Sequence, residues 1–282
     1  MNFYPIQPFH LVTYSPWPIF VSFDLLFFAI TGVIYFNHTY SIIGSSSFPV
    51  LLSFINLLFG VFMWFRDIIT EATYLGDHTT YIQHGLILGF YLFLVTEIFF
   101  FIGAFWSFFH SALSPVVEIG SIWPPVGIEA IYPFDLPLLN TILLLSSGIS
   151  VTYAHHYMIG KSRFNTIIGF LFTILFAVVF IYCQYIEYSN STFNISDSVF
   201  GTTFYFITGT HGIHVILGTI LLSISLYRIY SYQVTNSHHL GVESAIIYWH
   251  FVDVVWLFVF IFVYWWAYLF IIPLFIYNYL IY

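Results

Sequence analysis

The chain has 282 residues, of which 4 are Lys or Arg and 12 are Asp or Glu, for a formal net charge of −8. Charged residues make up 6% and hydrophobic residues 60%, with a mean hydropathy of +0.94; a soluble domain carries about 25% charge. This composition excludes a soluble domain, and it excludes nucleic-acid binding, because Arg66, Lys161, Arg163 and Arg228 are too few for a basic patch.

The single cysteine, Cys183, lies in an apolar run and forms no internal disulfide and no thiolate metal centre within the chain. No Lys or Arg precedes Arg66, which does not fit an ordinary signal peptide or an Arg-rich transit peptide.

A membrane-crossing helix needs about 20 apolar residues. Hydropathy and helix breakers place such spans at roughly 17–36, 49–65, 81–113, 137–159, 164–187, 199–229 and 240–271, an all-α membrane protein in a single integral membrane domain covering 1–282. Gly44-Ser45-Ser46-Ser47 separates the first two spans. Trp123-Pro124-Pro125 and Pro133 lie between the third and fourth, and Asn190-Ser191-Thr192 between the fifth and sixth. The third, sixth and seventh spans exceed the bilayer's need, so tilt or protrusion is expected. With this count, all four Lys and Arg residues fall on the side of the N-terminus. Glu118, Glu129, Asp135 and Asp197 fall on the other. The positive-inside rule then puts the N-terminus in the cytoplasm or the mitochondrial matrix.

Ionisable groups inside such spans are costly and normally have a task. Glu97 lies near the middle of the third span. It reads either as a proton relay or reactive carboxyl, or as an acid hydrogen-bonded to a neighbouring helix. His211 and His214 sit three apart among Gly209, Gly212 and Gly218, where small residues let helices approach. A metal or haem ligand role and a role as polar interhelical glue both fit that pair, the second better, since no span carries a bis-histidine haem pattern. His250 and Asp253, again three apart, share a face of the seventh span.

A further group gathers at span ends on the basic side: Arg66, Asp67, Glu71, His78, His84, His155, His156, Arg228, His238, His239 and Glu243. Arginines at that depth suit lipid phosphates, or are ordinary solvated anchors. Trp64, Trp249, Trp256, Trp265 and Trp266 serve as interfacial or packing residues.

The order of motifs along the chain resembles subunit III of the haem-copper oxidases, in particular of cytochrome c oxidase. The resemblance starts at Phe9-His10-Leu11-Val12 and Ser15-Pro16-Trp17-Pro18. It continues through Arg66-Asp67, Thr96-Glu97-Ile98-Phe99-Phe100-Phe101, Trp106 and His110-Ser111. Next come Trp123-Pro124-Pro125-Val126-Gly127, Pro137-Leu138-Leu139-Asn140-Thr141 and Ala154-His155-His156. Thr208-Gly209-Thr210-His211-Gly212-Ile213-His214-Val215, His238-His239 and the run from Tyr248 to Trp256 follow, ending at Tyr264-Trp265-Trp266.

The resemblance implies seven helices in a two-helix plus five-helix arrangement with a V-shaped lipid cleft. It implies a core subunit with no cofactor of its own, haem a and copper lying in neighbouring subunits. The expected partners are subunits I and II, accessory oxidase subunits, membrane phospholipids and a respiratory supercomplex. The expected place is the mitochondrial inner membrane (a bacterial plasma membrane being the alternative), with the N-terminus in the matrix. Trp64, Arg66, Glu71, His78 and Arg228 are the expected lipid contacts. Glu97 matches the family's intramembrane carboxyl that reacts with dicyclohexylcarbodiimide.

The chain departs from the family where Trp64-Phe65-Arg66-Asp67 replaces Trp-Trp-Arg-Asp and where Gln83-His84-Gly85-Leu86-Ile87 replaces Gln-Lys-Gly-Leu-Arg. Its tail after Ala267 is longer than usual and still apolar. The rival within the class is subunit III of a quinol oxidase. The rival outside it is a secondary transporter, against which the absence of paired broken repeats speaks.

Overall fold

In the computed structural model, residues 9–37, 47–235 and 238–269 are described. The spacer 44–46, the polar stretch from His38 and the tail beyond Leu269 therefore lie outside the described residues. Seven helices are long and apolar enough to cross a membrane: α1 Trp17–Phe36, α2 Phe48–Leu75, α3 Thr80–Leu113, α4 Leu136–Ile159, α5 Arg163–Asn190, α6 Ser198–Tyr230 and α7 Leu240–Leu269. No strand occurs among the described residues. A helix satisfies its backbone donors and acceptors within one segment without water, the alternative in hydrocarbon being a closed barrel of strands, so single apolar runs of this length form helices.

Helix starts and stops follow local chemistry. Prolines sit in the first turns of α1, α2 and α4, where their missing N–H costs nothing. α2 runs on to Leu75, past the 65 at which the hydropathy signal fades, because no Gly or Pro follows until Gly76. Its last turn, Glu71–Leu75, widens to π-helical bonding, and Gly76 stops it with φ +72° while its N–H caps the Glu71 carbonyl. α7 also contains a π-helical stretch, Phe260–Trp266.

The chain folds as two compact units, residues 1–86 and 87–282. In the first, α1 and α2 form a hairpin. The absent side chain of Gly60 makes room for α1: a Cβ there would lie 2.9 Å from Phe20. Thr31 and Ser53 join the helices through their hydroxyls at 2.9 Å. At the other end of the hairpin, the Trp17 indole N–H donates to Asp67 at 2.6 Å.

In the second unit the buried residues recur every seven positions. Leu94, Phe101 and Phe108 repeat this way on α3, and Leu144, Val151 and Met158 on α4. Thr208, Val215, Leu222 and Ile229 do so on α6, and Val242, Trp249, Trp256 and Val263 on α7. A repeat of seven keeps one stripe of each helix facing its neighbours in a left-handed bundle. α7 is the central post, with 56% of its most apolar window buried against 11% for α3. Its two buried tryptophans hang on α4: Trp249 Nε1–H donates to Ser147 Oγ at 2.9 Å, and Trp256 Nε1–H to Thr141 Oγ1 at 3.0 Å.

α4 and α5 pack closest at Gly169, where a Cβ would lie 2.7 Å from Ala154 Cβ and 3.0 Å from the Ser150 carbonyl oxygen. Ser150 and Thr173 bridge the same pair at 2.8 Å. Lipid is as apolar as Leu, so such close approach, not water exclusion, holds these helices together. Gly169→Ala forces backbone rather than a flexible side chain to move, and should destabilise the protein by about 1–3 kcal/mol. The check is the thermal midpoint of the detergent-solubilised protein, which falls in the variant; an unchanged midpoint contradicts the packing described.

Candidate functional site

Glu97 is the intramembrane carboxyl of α3, and α6 supplies its partner. His214 Nε2 lies 2.8 Å from Glu97 Oε2, and His214 Nδ1 lies 2.7 Å from the Thr210 carbonyl oxygen. A carbonyl only accepts, so Nδ1 carries a hydrogen. One proton is then shared along the Nε2–Oε2 line, as acid and imidazole or as carboxylate and imidazolium. Either form is neutral overall, which suits a site in hydrocarbon. Aromatic rings surround the pair: Phe101 at 5.1 Å and Tyr248 at 6.3 Å from the imidazole, centroid to centroid.

His211, three residues earlier, turns to a different neighbour. It is 1% exposed, and its Nε2 lies 3.1 Å from the Val252 carbonyl oxygen of α7. Its ring packs on Trp256 at 5.1 Å and Phe180 at 5.9 Å, and its Nδ1 has no hydrogen-bond partner. The two histidines thus serve two separate interfaces, not one ligand set. Of the three glycines beside them, Gly218 admits the Trp249 ring, whereas nothing approaches Gly212 within 4 Å.

His250 and Asp253 form a third group, between α7 and α4. Their Nδ1 and Oδ2 are 3.9 Å apart, an ion-pair distance and too long for a hydrogen bond. His250 Nε2 lies 3.3 Å from Thr152 Oγ1. Asp253 fits because Gly148 lacks a side chain: a Cβ there would lie 2.7 Å from its Oδ2.

The expected lipid contacts divide between the units. In the first, Arg66 donates through Nε (3.1 Å) and Nη2 (2.8 Å) to Asp67. Its side chain stays 53% exposed, leaving guanidinium donors for a further ligand. Trp64, two residues before it, is part-exposed on the same helix. Glu71 and His78 come together, with His10 as a third member: His10 Nε2 lies 3.5 Å from Glu71 Oε2, and the His10 and His78 rings are 5.7 Å apart. Potential ligand atoms of these three lie within 4.8 Å of one another, the one such group among the described residues. Two imidazoles and a carboxylate suit a zinc-like ion and equally the charged headgroup of a lipid. In the second unit Arg228 ends α6 against Gly241, whose missing Cβ leaves space for its guanidinium, and its buried Nε has no hydrogen-bond partner.

Sequence reasoning missed three groups. His10 joins Glu71 across a gap of 61 positions, which no spacing signals. Asp24 of α1 is 8% exposed with an unpartnered Oδ2. Glu187 closes a buried network near the end of α5: its Oε1 accepts from Tyr264 OH at 2.5 Å and Gln184 Nε2 at 3.1 Å, and Asn140 Nδ2 donates to Gln184 at 3.4 Å. The spacing of Gln184 and Glu187 at i and i+3 was a usable signal, but at a span end it reads as ordinary interfacial polarity.

A family model described as cytochrome c oxidase subunit III matches residues 7–268. Proteins named cytochrome c oxidase subunit 3 are similar over nearly the whole chain. That of Yarrowia lipolytica is 56% identical over 94% of this chain and 97% of its own. Those of Mycosarcoma maydis and Emericella nidulans are 54% and 53% identical, covering 94% and 93% of this chain and 96% of each relative.

The Glu97–His214 bond is open to a double-substitution test. Glu97→Leu or His214→Phe alone strands a polar group and should cost about 1–3 kcal/mol. The double variant should cost less than the sum by about 0.6 kcal/mol, the average of measured interhelical couplings, whose maximum is about 1.7 kcal/mol. Stability of the solubilised protein is the readout; strict additivity contradicts the bond.

Proposed function

The chain belongs to the cytochrome c oxidase subunit III family, and on that footing we propose that it stabilises the catalytic subunit of the respiratory oxidase by holding phospholipid beside it and supporting proton uptake. The full-length match to relatives named as this subunit carries the reading. As a member of the family it is part of a proton-pumping oxidase complex and not itself the catalytic centre.

In the proposed arrangement it adjoins subunits I and II and the accessory subunits, haem a and copper being held by its neighbours. Phospholipids lie against its membrane-spanning helices. The complex sits in the mitochondrial inner membrane, with a supercomplex as the larger setting. The relatives' names give cytochrome c as the donor, which favours this reading over the quinol alternative.

The distribution of cations supports a matrix-side N-terminus. Arg66 lies about two-thirds of the way along α2, Lys161 between α4 and α5, Arg163 at the start of α5, and Arg228 near the end of α6. If each helix crosses once, all four share the side of the N-terminus, which the positive-inside rule assigns to the matrix. That side also carries His10, Glu71, His78, His155, His239 and Glu243. A surface rich in titratable groups raises the local supply of protons for a neighbouring uptake channel.

Arg66 and Arg228 are proposed as phosphate anchors, with Trp64, Glu71 and His78 lining the headgroup region. Arg66 keeps free donors after binding Asp67, and Arg228 has an unmet Nε. A charged hydrogen bond contributes about 1.5–3 kcal/mol, roughly tenfold to a hundredfold in affinity. Oxidase carrying Arg66→Ala and Arg228→Ala should therefore co-purify with less phospholipid, as measured by mass spectrometry. Unchanged lipid content rejects the two arginines as anchors.

A further inference from the structure

We infer that His10, Glu71 and His78 bind a divalent transition-metal ion of the zinc class. One ligand comes from the segment before α1, one from the last turn of α2 and one from the turn into α3, all within the first unit. Potential ligand atoms of the three lie within 4.8 Å of one another. Zinc bonds of about 2.0–2.1 Å in a tetrahedron set donor atoms about 3.4 Å apart. His10 Nε2 and Glu71 Oε2 are already 3.5 Å apart. That separation matches an edge of such a site, and it exceeds the roughly 2.7–2.9 Å of a charge-assisted hydrogen bond. The two groups face each other without closing on each other.

Each ligand is positioned by its own segment. Phe9 packs edge-on against Tyr81 of α3 at 5.5 Å and carries His10 with it. Glu71 opens the π-helical turn Glu71–Leu75, a distortion that recurs at functional sites. Gly76 then reverses the chain at φ +72°. Asp77 N–H donates to the Glu71 carbonyl at 3.2 Å, and Gln83 Nε2 to the His78 carbonyl at 2.9 Å. The His10 and His78 rings meet edge to face at 5.7 Å. An ion reaches the group from outside, since the side chains of His10 and Glu71 keep 25% and 17% exposure.

The donor chemistry selects the ion. Two imidazoles and one carboxylate suit zinc-class ions, whereas Mg2+ and Ca2+ take oxygen ligands. With both imidazoles unprotonated, as ligation requires, the set carries one negative charge, which a dication more than offsets. Three protein ligands leave a fourth tetrahedral position open, and water or a phosphate oxygen fits it. A headgroup phosphate at that position adds to the ion without replacing it, so the site does not rest on the lipid-holding function.

The test uses the intact oxidase, treated with a chelator, with ZnCl2 as the probe. Histidines are carbethoxylated with diethyl pyrocarbonate, and His10, His78 and the exposed His84 are followed by peptide mass spectrometry. At a Zn2+ concentration about ten times the dissociation constant, about one site in ten stays free. His10 and His78 should therefore react about tenfold more slowly and His84 at an unchanged rate, and MgCl2 at equal concentration should not protect. Equal reaction with and without Zn2+ overturns the assignment. So does equal protection by MgCl2. So does failure of both histidines to react in the metal-free oxidase, since a partner chain or lipid then covers them. In a second arm, Glu71→Gln should raise the Zn2+ concentration for half-protection at least about tenfold, because even groups outside the ligand set contribute that much to metal affinity; an unchanged midpoint also overturns it. The phospholipid content of the arginine variants is a separate readout, so failure here is distinct from failure of the lipid-holding function.

Discussion

Within hydrocarbon no water completes an unmet hydrogen bond, and the structure follows from that constraint. Backbone groups are met inside helices, and polar side chains have to find partners on neighbouring helices. The central case is α7. Its tryptophans are large enough to fill the bundle, and their indole N–H groups close on hydroxyls of α4. Around this post the other helices approach through small residues: Gly218 under Trp249, Gly148 under Asp253, Gly169 against Ala154. Each interhelical hydrogen bond contributes only about 0.6 kcal/mol on average. Packing at these notches therefore carries most of the stability, and the bonds fix which helix faces which.

The number and kind of the helices are legible in the sequence, because length and apolarity are one-dimensional properties. Core faces are legible too, once the sevenfold spacing of Leu94, Phe101 and Phe108 is noticed. Which groups meet is not. Glu97 stands out by its isolation, yet His211 and His214 compete as partners. Three residues of helix leave side chains about 60° apart. That angle turns His211 to α7 and His214 to α3, and it depends on how α6 is rotated within the bundle. Glu187 was illegible for another reason: a carboxyl at the end of a span looks solvated unless Tyr264 and Gln184 are known to cover it. His10 was invisible because its partners are distant in sequence.

The Glu97–His214 pair bears most directly on what this subunit does in its complex. A proton carrier needs groups on both sides to receive and deliver the proton. Here the pair is flanked by Phe100, Phe101 and the stacked ring of Tyr248. Its one shared proton is held along the line from Oε2 to Nε2, and the far imidazole nitrogen is tied to the Thr210 carbonyl. Such a pair joins α3 to α6 without leaving net charge in the membrane. The contact ties α3 to α6, which fits the supporting role proposed for the subunit.

The decisive measurement is the proton-to-electron ratio of reconstituted oxidase carrying Glu97→Gln, followed together with its phospholipid content and the lifetime of its activity. Glutamine preserves a hydrogen bond to His214 but cannot carry a proton. Oxygen reduction and pumping that largely survive, with a shortened active lifetime or loss of lipid, are the result expected of a structural tie. Complete loss of pumping with full lipid retention would show that this chain conducts protons, and would contradict the account.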